Sequence, residues 1–281
     1  MKIGVITDCF KRPLAESIKL AGQLGFDGVQ IYATTGEFSP SVLSAERKAE
    51  IKELLKENNL VISALCGDMG GHGFQIEADN PERVQKTKDI IDLAEEFGVS
   101  VITTHIGVIP SDKTESRYKV MLDAMRECGK YAASKGVTLA IETGPETAKT
   151  LLAFLEDIPQ GVGVNLDPAN FVMVTDQDPV EAVNMLGKYI VHTHVKDGVM
   201  LKKTDPEIIY EHFATGGIEA LNVADFFLET PLGEGKVDFP KYLEALREAN
   251  FDGFLTVERE TGEDVVADIT LAKTTVQKLL K

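Results

Sequence analysis

Gly25-Phe26-Asp27-Gly28-Val29-Gln30-Ile31-Tyr32 decides how the chain is read, because its pattern returns near the other end as Asn250-Phe251-Asp252-Gly253-Phe254-Leu255-Thr256-Val257. In both, a Gly or Asn able to end a helix in the left-handed conformation hands the chain directly to a β-rich run. Gly98-Val99 and Gly136-Val137 carry the same signal. Working outward from these joints, β-branched and apolar runs fall at 3–6, 28–32, 61–65, 101–104, 139–142, 163–166, 190–195 and 254–258. Between them lie stretches with apolar residues at three- and four-residue spacing, at 15–24, 45–58, 81–97, 116–134, 146–155, 179–187, 239–249 and 264–280.

The alternation predicts eight βα units of about 35 residues each, the size of the repeating unit of a closed barrel. The expected fold is therefore α/β, a single (β/α)8 TIM barrel over residues 1–281. Length alone would also allow two domains of ~150 residues. The alternative, an open doubly wound sheet, lacks its glycine fingerprint: Ile6-Thr7-Asp8-Cys9 stands where G-x-G-x-x-G would follow the first strand. Residues 198–236, after the seventh strand, are far too long for an ordinary βα loop. They carry helical patterns at 206–213 and 219–228 with Gly216-Gly217 between, and predict an insertion that forms a lid over the catalytic face.

With 29 Lys and Arg against 45 Asp and Glu, the formal net charge of −16 opposes binding to nucleic acid or to an anionic membrane surface. No run of ~18 apolar residues could span a bilayer. Cys9, Cys66 and Cys128 are far apart and odd in number, which predicts free thiols and a cytoplasmic setting. Asp8 interrupts the first apolar run, so no signal peptide is expected.

In such a barrel the chemistry sits where strands end at their C-terminal side. The fifth strand ends at Glu142, the sixth leads into Asp167 in Asn165-Leu-Asp-Pro-Ala-Asn170, the seventh holds His192 and His194 in His192-Thr-His-Val-Lys-Asp197, and the eighth ends at Glu258. Three carboxylates and an imidazole at one mouth form a mixed oxygen and nitrogen set suited to one divalent ion, manganese, magnesium or cobalt, with zinc also compatible.

In Glu142, Asp167, His194-Val-Lys-Asp197, Gly233-Glu-Gly235 and Glu258 the chain resembles the divalent-metal sugar isomerase and epimerase barrels. That family includes xylose isomerase-like proteins, ketose 3-epimerases and inosose-processing enzymes. The resemblance runs over essentially the whole chain. It implies that Glu142, Asp167, His194 and Glu258 are the metal ligands and that Glu142 and Glu258 also act as acid and base. The implied reaction is proton abstraction beside a carbonyl of a sugar, keto-sugar or sugar phosphate through a metal-stabilised enediolate. It also implies a homo-oligomer with a small-molecule partner.

Around this set, His105, Asn170, Lys196 and Glu234 are the expected substrate contacts. Asn170 departs from the family, where several ketose epimerases have histidine; an amide can hydrogen-bond a hydroxyl but cannot shuttle a proton. Lys196 is expected chiefly to neutralise Glu142 and Asp167. His192 is expected to be a packed, hydrogen-bonded histidine. Asp68-Met-Gly-Gly-His-Gly73 reads as a surface loop. Three other functions remain open: a lyase acting on a keto-inositol or 3-keto glycoside at the same metal site, an apurinic endonuclease-like barrel, and a non-catalytic sugar-binding barrel.

Overall fold

A computed structural model describes residues 1–217 and 221–281. Eight parallel strands close into a barrel: β1 (Lys2–Ile6), β2 (Gly28–Tyr32), β3 (Val61–Cys66), β4 (Val101–Thr104), β5 (Thr138–Glu142), β6 (Val162–Leu166), β7 (Ile190–Val195) and β10 (Phe254–Val257). The order around the barrel is β1-β10-β7-β6-β5-β4-β3-β2, so the first and last strands meet, with Lys2 opposite Phe254 and Val5 opposite Val257. The fold is thus the expected (β/α)8 TIM barrel.

An outer ring is formed by α1 (Leu14–Gln23), α2 (Ala45–Glu57), α3 (Asn80–Phe97), α4 (Ser116–Ser134), α5 (Ala148–Leu155), α7 (Pro179–Leu186), α9 (Phe239–Glu248) and α10 (Val265–Leu279). The helix-to-strand joints behave as their sequence dictates. Gly25, Gly98, Gly136 and Asn250 take φ values of 74°, 68°, 69° and 59°, the left-handed conformation that ends each helix. In the first joint Phe26 enters the core and Asp27 accepts the backbone N–H of Ile3, tying the turn to the start of β1. Gly28 must be glycine because Phe254 crosses the bottom of the barrel, 2.7 Å from where its Cβ would lie.

After β6 the chain makes one turn of helix, α6 (Pro168–Asn170), that widens into a π-helical turn at Phe171–Thr175. After β7 it departs from the βα rhythm. β8 (Asp197–Met200) pairs antiparallel with β9 (Phe227–Thr230), and α8 (Pro206–Ala214) lies between them. The helix expected at 206–213 is therefore present. The one expected at 219–228 is not: residues 218–220 lie outside the described residues, Val223–Asp225 make a single 3-10 turn, and Phe227 and Leu228 are in β9. A ladder with β8 satisfies these backbone groups and overrides the local helical pattern. Asn222 caps the short turn by accepting from the N–H of Ala224.

Candidate active site

The barrel interior near its C-terminal mouth is polar and hydrogen-bonded across the lumen. Gln30 on β2 donates to Thr103 Oγ1 on β4 at 3.1 Å and contacts His194 Nε2 on β7 at 3.2 Å, although neither strand neighbours β2. Asn165 on β6 sits at the centre of a second network. Its amide nitrogen lies 3.1 Å from Glu142 Oε2 and 3.2 Å from His194 Nε2, and its oxygen lies 2.9 Å from His192 Nδ1. His192 is held from its other side by Thr256 Oγ1 at 2.9 Å. Burial, with His194 alongside, pushes the His192 imidazole well below its ordinary pKa. It is a fixed, neutral spacer beneath the site, as the sequence led us to expect.

Above this layer Glu142, Asp167, His194 and Glu258 converge, all four buried, with one ligand atom from each lying within 4.8 Å of the others. Alternation along each strand and the shared barrel mouth bring residues 116 positions apart in sequence onto one point. Asp167 shows how the turn after β6 aims a carboxylate. Its Oδ1 caps α6, accepting from Ala169 and Asn170 N–H at 2.8 and 3.1 Å, while Thr143 hydroxyl brackets its backbone. That leaves Oδ2 buried without a hydrogen bond. His194 Nδ1 and Glu258 Oε2 are likewise buried without hydrogen-bond partners, although they lie 2.8 Å apart.

Three buried polar atoms that make no hydrogen bond thus meet in one spot, two of them as the ion pair His194 Nδ1–Glu258 Oε2, and Asp167 Oδ2 faces the same pair. A divalent cation would meet all three at once, and the donor set, carboxylate oxygens with one imidazole nitrogen and no thiolate, fits a hard or borderline ion. The electrostatics agree. Burial alone would lower the His194 pKa, but the carboxylates of Glu142 and Glu258 lift it well above the ordinary value. A site that grips a proton this way attracts positive charge in general. Burial raises the Glu258 carboxyl, and Lys196 and His194 more than reverse this, leaving it below the usual range.

Lys196 follows β7 into the same mouth, but its partners differ from those expected. Its ammonium lies 2.7 Å from Glu260, 3.5 Å from Glu258 and 3.9 Å from Glu229, rather than against Glu142 and Asp167. Glu229 arrives on β9, a placement that only the antiparallel hairpin creates. Its Oε1 accepts from Arg259 Nη1 at 2.8 Å and from the N–H of Glu260 at 3.0 Å, fastening the insertion to the loop after β10. Arg259 is held on its other edge by Asp268.

His105, beyond β4, presents Nδ1 to Asp68 Oδ2 at 3.0 Å and Nε2 toward Glu142 Oε1 at 3.9 Å. Burial opposes its charge, yet Glu142 and Asp68 lift the imidazole to about 10. Asp68 therefore lines the cavity, while Gly70 and Gly71 beyond it are exposed, as the reading of 68–73 as a surface loop expected. Gly73, at φ 57°, presses its backbone onto the carbonyl of Ile106, and Phe74 beyond it is buried. Asn170 also lines the cavity, with its amide nitrogen donating to Thr143 carbonyl at 2.9 Å. Glu234 does not reach the site. It is exposed at a turn whose flanking Gly233 and Gly235 donate N–H groups to Asp197 Oδ2, so the Gly-Glu-Gly motif serves to hold the buried Asp197 carboxylate.

These groups form the floor of a cavity of about 590 Å³ roofed by the insertion, with Ile209, Tyr210 and Phe213 on α8 facing it. Tyr210 reaches down to Gly144, where any side chain would collide with its hydroxyl. Two exposed pairs, Arg117 with Glu207 at 2.6 Å and His72 with Glu211 at 3.1 Å, join α8 to the opposite rim. Sequence reading missed Gln30, Asn165, Tyr210 and Glu229. A lone amide in an otherwise apolar β2 and an Asn two residues before Asp167 were visible signals for the first two; Tyr210 and Glu229 had none, because a non-local fold of the insertion places them.

The closed parallel barrel carries at its C-terminal mouth a buried cluster of three carboxylates and one imidazole, a group that could hold a metal ion. Residues 18–279 match the family model described as xylose isomerase-like TIM barrel, and the chain belongs to that family. It is similar to inosose dehydratase of Geobacillus thermodenitrificans, 26% identical over 155 residues, which is 52% of this chain and 48% of that protein; the match thus spans about half of that relative's length. It is also similar to L-ribulose-5-phosphate 3-epimerase UlaE of Escherichia coli, 23% identical over 92% of this chain and 87% of the relative. Among solved structures, a xylose isomerase domain protein from Planctomyces limnophilus superposes with a TM-score of 0.79, 25% identity and coverage of 99% of this chain and 96% of that one.

Proposed function

We propose that the protein is a divalent-metal-dependent isomerase or epimerase acting on a sugar or keto-sugar, with Glu142, Asp167, His194 and Glu258 holding the ion. The observation that carries this reading is the convergence of Asp167 Oδ2, His194 Nδ1 and Glu258 Oε2, three buried atoms that make no hydrogen bond, beside Glu142. When bound, a divalent ion supplies Lewis-acid polarisation of a carbonyl and stabilises negative charge developing on its oxygen.

The chain's own residues do the rest. Glu258, kept ionised by Lys196, takes the proton from the carbon beside the carbonyl and holds it at Oε1, the oxygen facing Lys196 at 3.5 Å. For the epimer, Glu142 enters the step carrying a proton and delivers it to the opposite face of that carbon, the two carboxyls exchanging protons with solvent between turnovers; for the isomer, the proton on Glu258 goes to the neighbouring carbon while the hydroxyl proton moves to the former carbonyl oxygen. His105, oriented by Asp68, donates a hydrogen bond to a substrate oxygen, and Asn170 contacts a hydroxyl. The roof formed by α8 keeps bulk water from the intermediate.

The relative named inosose dehydratase supports a second reading at the same site, loss of a leaving group from the carbon next to the deprotonated one. Incubating magnesium-reconstituted protein in D₂O with ketoses, keto-inositols and 3-keto glycosides, and following C–H loss by NMR, separates the two. Exchange with a rearranged sugar supports the isomerase or epimerase reading, and exchange with a released leaving group moves the assignment to lyase. Glu258→Gln is expected to slow exchange by about 10²- to 10⁴-fold. Absence of both exchange and metal affinity would overturn the proposal.

A further inference from the structure

The cavity has two chemically distinct halves, and the outer half matches no part of a bare sugar. Facing the polar floor are Met173, Val174, Ile209, Phe213, Val223 and Phe227, drawn from the turn after β6 and from the insertion. Of the nine large apolar side chains exposed among the described residues, Leu201, Ile208, Phe213 and Leu228 all belong to 198–236, and Phe213 and Leu228, 57% and 50% exposed, line this cavity. Scattered exposed apolar residues need no explanation, but a group of them walling one cavity marks a binding surface.

The charges point the same way. Lys196 is the only Lys or Arg among the described residues lining the cavity, and three carboxylates already surround it. Asp68, Glu142, Glu229, Glu258 and Glu260 all line the same space. Arg259, near the place where barrels of this kind often hold phosphate, is buried and engaged by Glu229 and Asp268. Apart from the residues that would hold the ion, Glu229 and Glu260 flank Lys196, so among the described residues no lysine or arginine in the lining is left free to pair with a dianionic phosphate.

We infer that the outer half is an apolar subsite for an uncharged aromatic or aliphatic group, and that the substrate is a neutral keto-sugar glycoside or ether, with its carbonyl on the ring, rather than a sugar phosphate. That the group is joined to a sugar rests on the proposed function; the subsite itself rests on the lining residues. The sugar ring occupies the floor beside Glu142, His194 and Glu258, and its substituent lies beneath α8 and the β8–β9 hairpin.

Saturation-transfer NMR and calorimetry on magnesium-loaded protein test this with phenyl β-D-glucopyranoside, methyl β-D-glucopyranoside, glucose, glucose 6-phosphate and benzyl alcohol. The phenyl glucoside is expected to bind about tenfold more tightly than the methyl one, from burial of its ring. Its ring protons should receive saturation, and glucose 6-phosphate should bind more weakly than glucose. In Phe213→Ser and Leu228→Ser, at sites exposed enough to spare the fold, the phenyl-to-methyl ratio should fall toward unity. Equal affinities for the two glucosides, or tighter binding of glucose 6-phosphate, would overturn the inference. Binding of methyl glucoside without transfer to benzyl alcohol or the phenyl ring would remove the subsite while leaving the sugar reading intact. Phe213-dependent transfer to benzyl alcohol with no sugar bound would keep the subsite and remove the sugar reading. If Phe213→Ser instead dissociates an oligomer with the ratio unchanged, the apolar face is an interface between copies and the inference falls.

Discussion

Asn165 is the residue on which the site's geometry turns. One side chain orients Glu142, His192 and His194 at once, and all four are buried, so none can be re-solvated if it is lost. Asn165→Ala is expected to weaken divalent-ion affinity about 10- to 100-fold while leaving the barrel folded, because the ligands stay but their orienting partner does not. Calorimetric titration with manganese, alongside circular dichroism, checks both halves. Glu146 makes a different point. Burial pushes its carboxyl up to about 8 from an ordinary 4.5, with His105 offsetting only part, and its Oε2 has no hydrogen-bond partner. The folded state thus holds this proton more tightly than the unfolded chain does, so Glu146 lowers stability as pH rises from about 4.5 to about 8. Glu146→Gln should flatten that decline, raising stability at pH 9 by on the order of a few kcal/mol and changing little at pH 4. Melting curves across that range would show equal slopes if the idea is wrong.

Among the elements, the insertion is anchored at two places of unequal strength. At the barrel side, Glu229 on β9 meets Arg259 with both side chains under a tenth exposed, and it also accepts the backbone N–H of Glu260. Removing Glu229 takes one of its two carboxylate partners from the buried Arg259, which keeps Asp268, so Glu229→Ala should cost about 1.5–3 kcal/mol. On the opposite rim α8 is joined by Arg117–Glu207, whose glutamate is 52% exposed. Glu207→Ala should cost ~1 kcal/mol or less, as exposed pairs do. Denaturant melts of the two variants give the comparison, and hydrogen exchange in α8 should rise in Glu207→Ala alone among globally stable forms.

At the scale of the whole molecule, the barrel gathers negative charge at one mouth and leaves it to be neutralised. The chain's net charge of −16 adds to that field. A bound divalent ion therefore stabilises the folded state, by about 2.7 kcal/mol at a free concentration one hundred times its Kd. For a chain of this size that raises Tm by several degrees, on the order of 2–4 °C per kcal/mol. Removing metal with EDTA and restoring it should lower and recover Tm, and the recovery should be lost in His194→Asn. A Tm indifferent to chelator would remove this support for a metal at the site. None of the helices among the described residues is long and apolar enough to cross a membrane.

The sequence by itself determined the barrel. Period-two strands, amphipathic helices and left-handed joints such as Gly25 and Asn250 are local features, and each βα unit has few ways to bury its apolar face except beside the next. It also determined the four clustered residues, because a strand's C-terminal end is a position the local pattern reveals. Only the tertiary structure decided the rest. Within the stretch expected as a helix at 219–228, Phe227 and Leu228 are in β9, since pairing with β8 ties them to the fold while a short isolated helix is marginal in water. That pairing brought Glu229 to Lys196 and Arg259, turned Gly233-Glu234-Gly235 into a cradle for Asp197, and set Phe213 and Leu228 over the cavity. Contacts between segments remote in sequence carry no local periodicity, and charge partners such as those of Lys196 are chosen by distance in space.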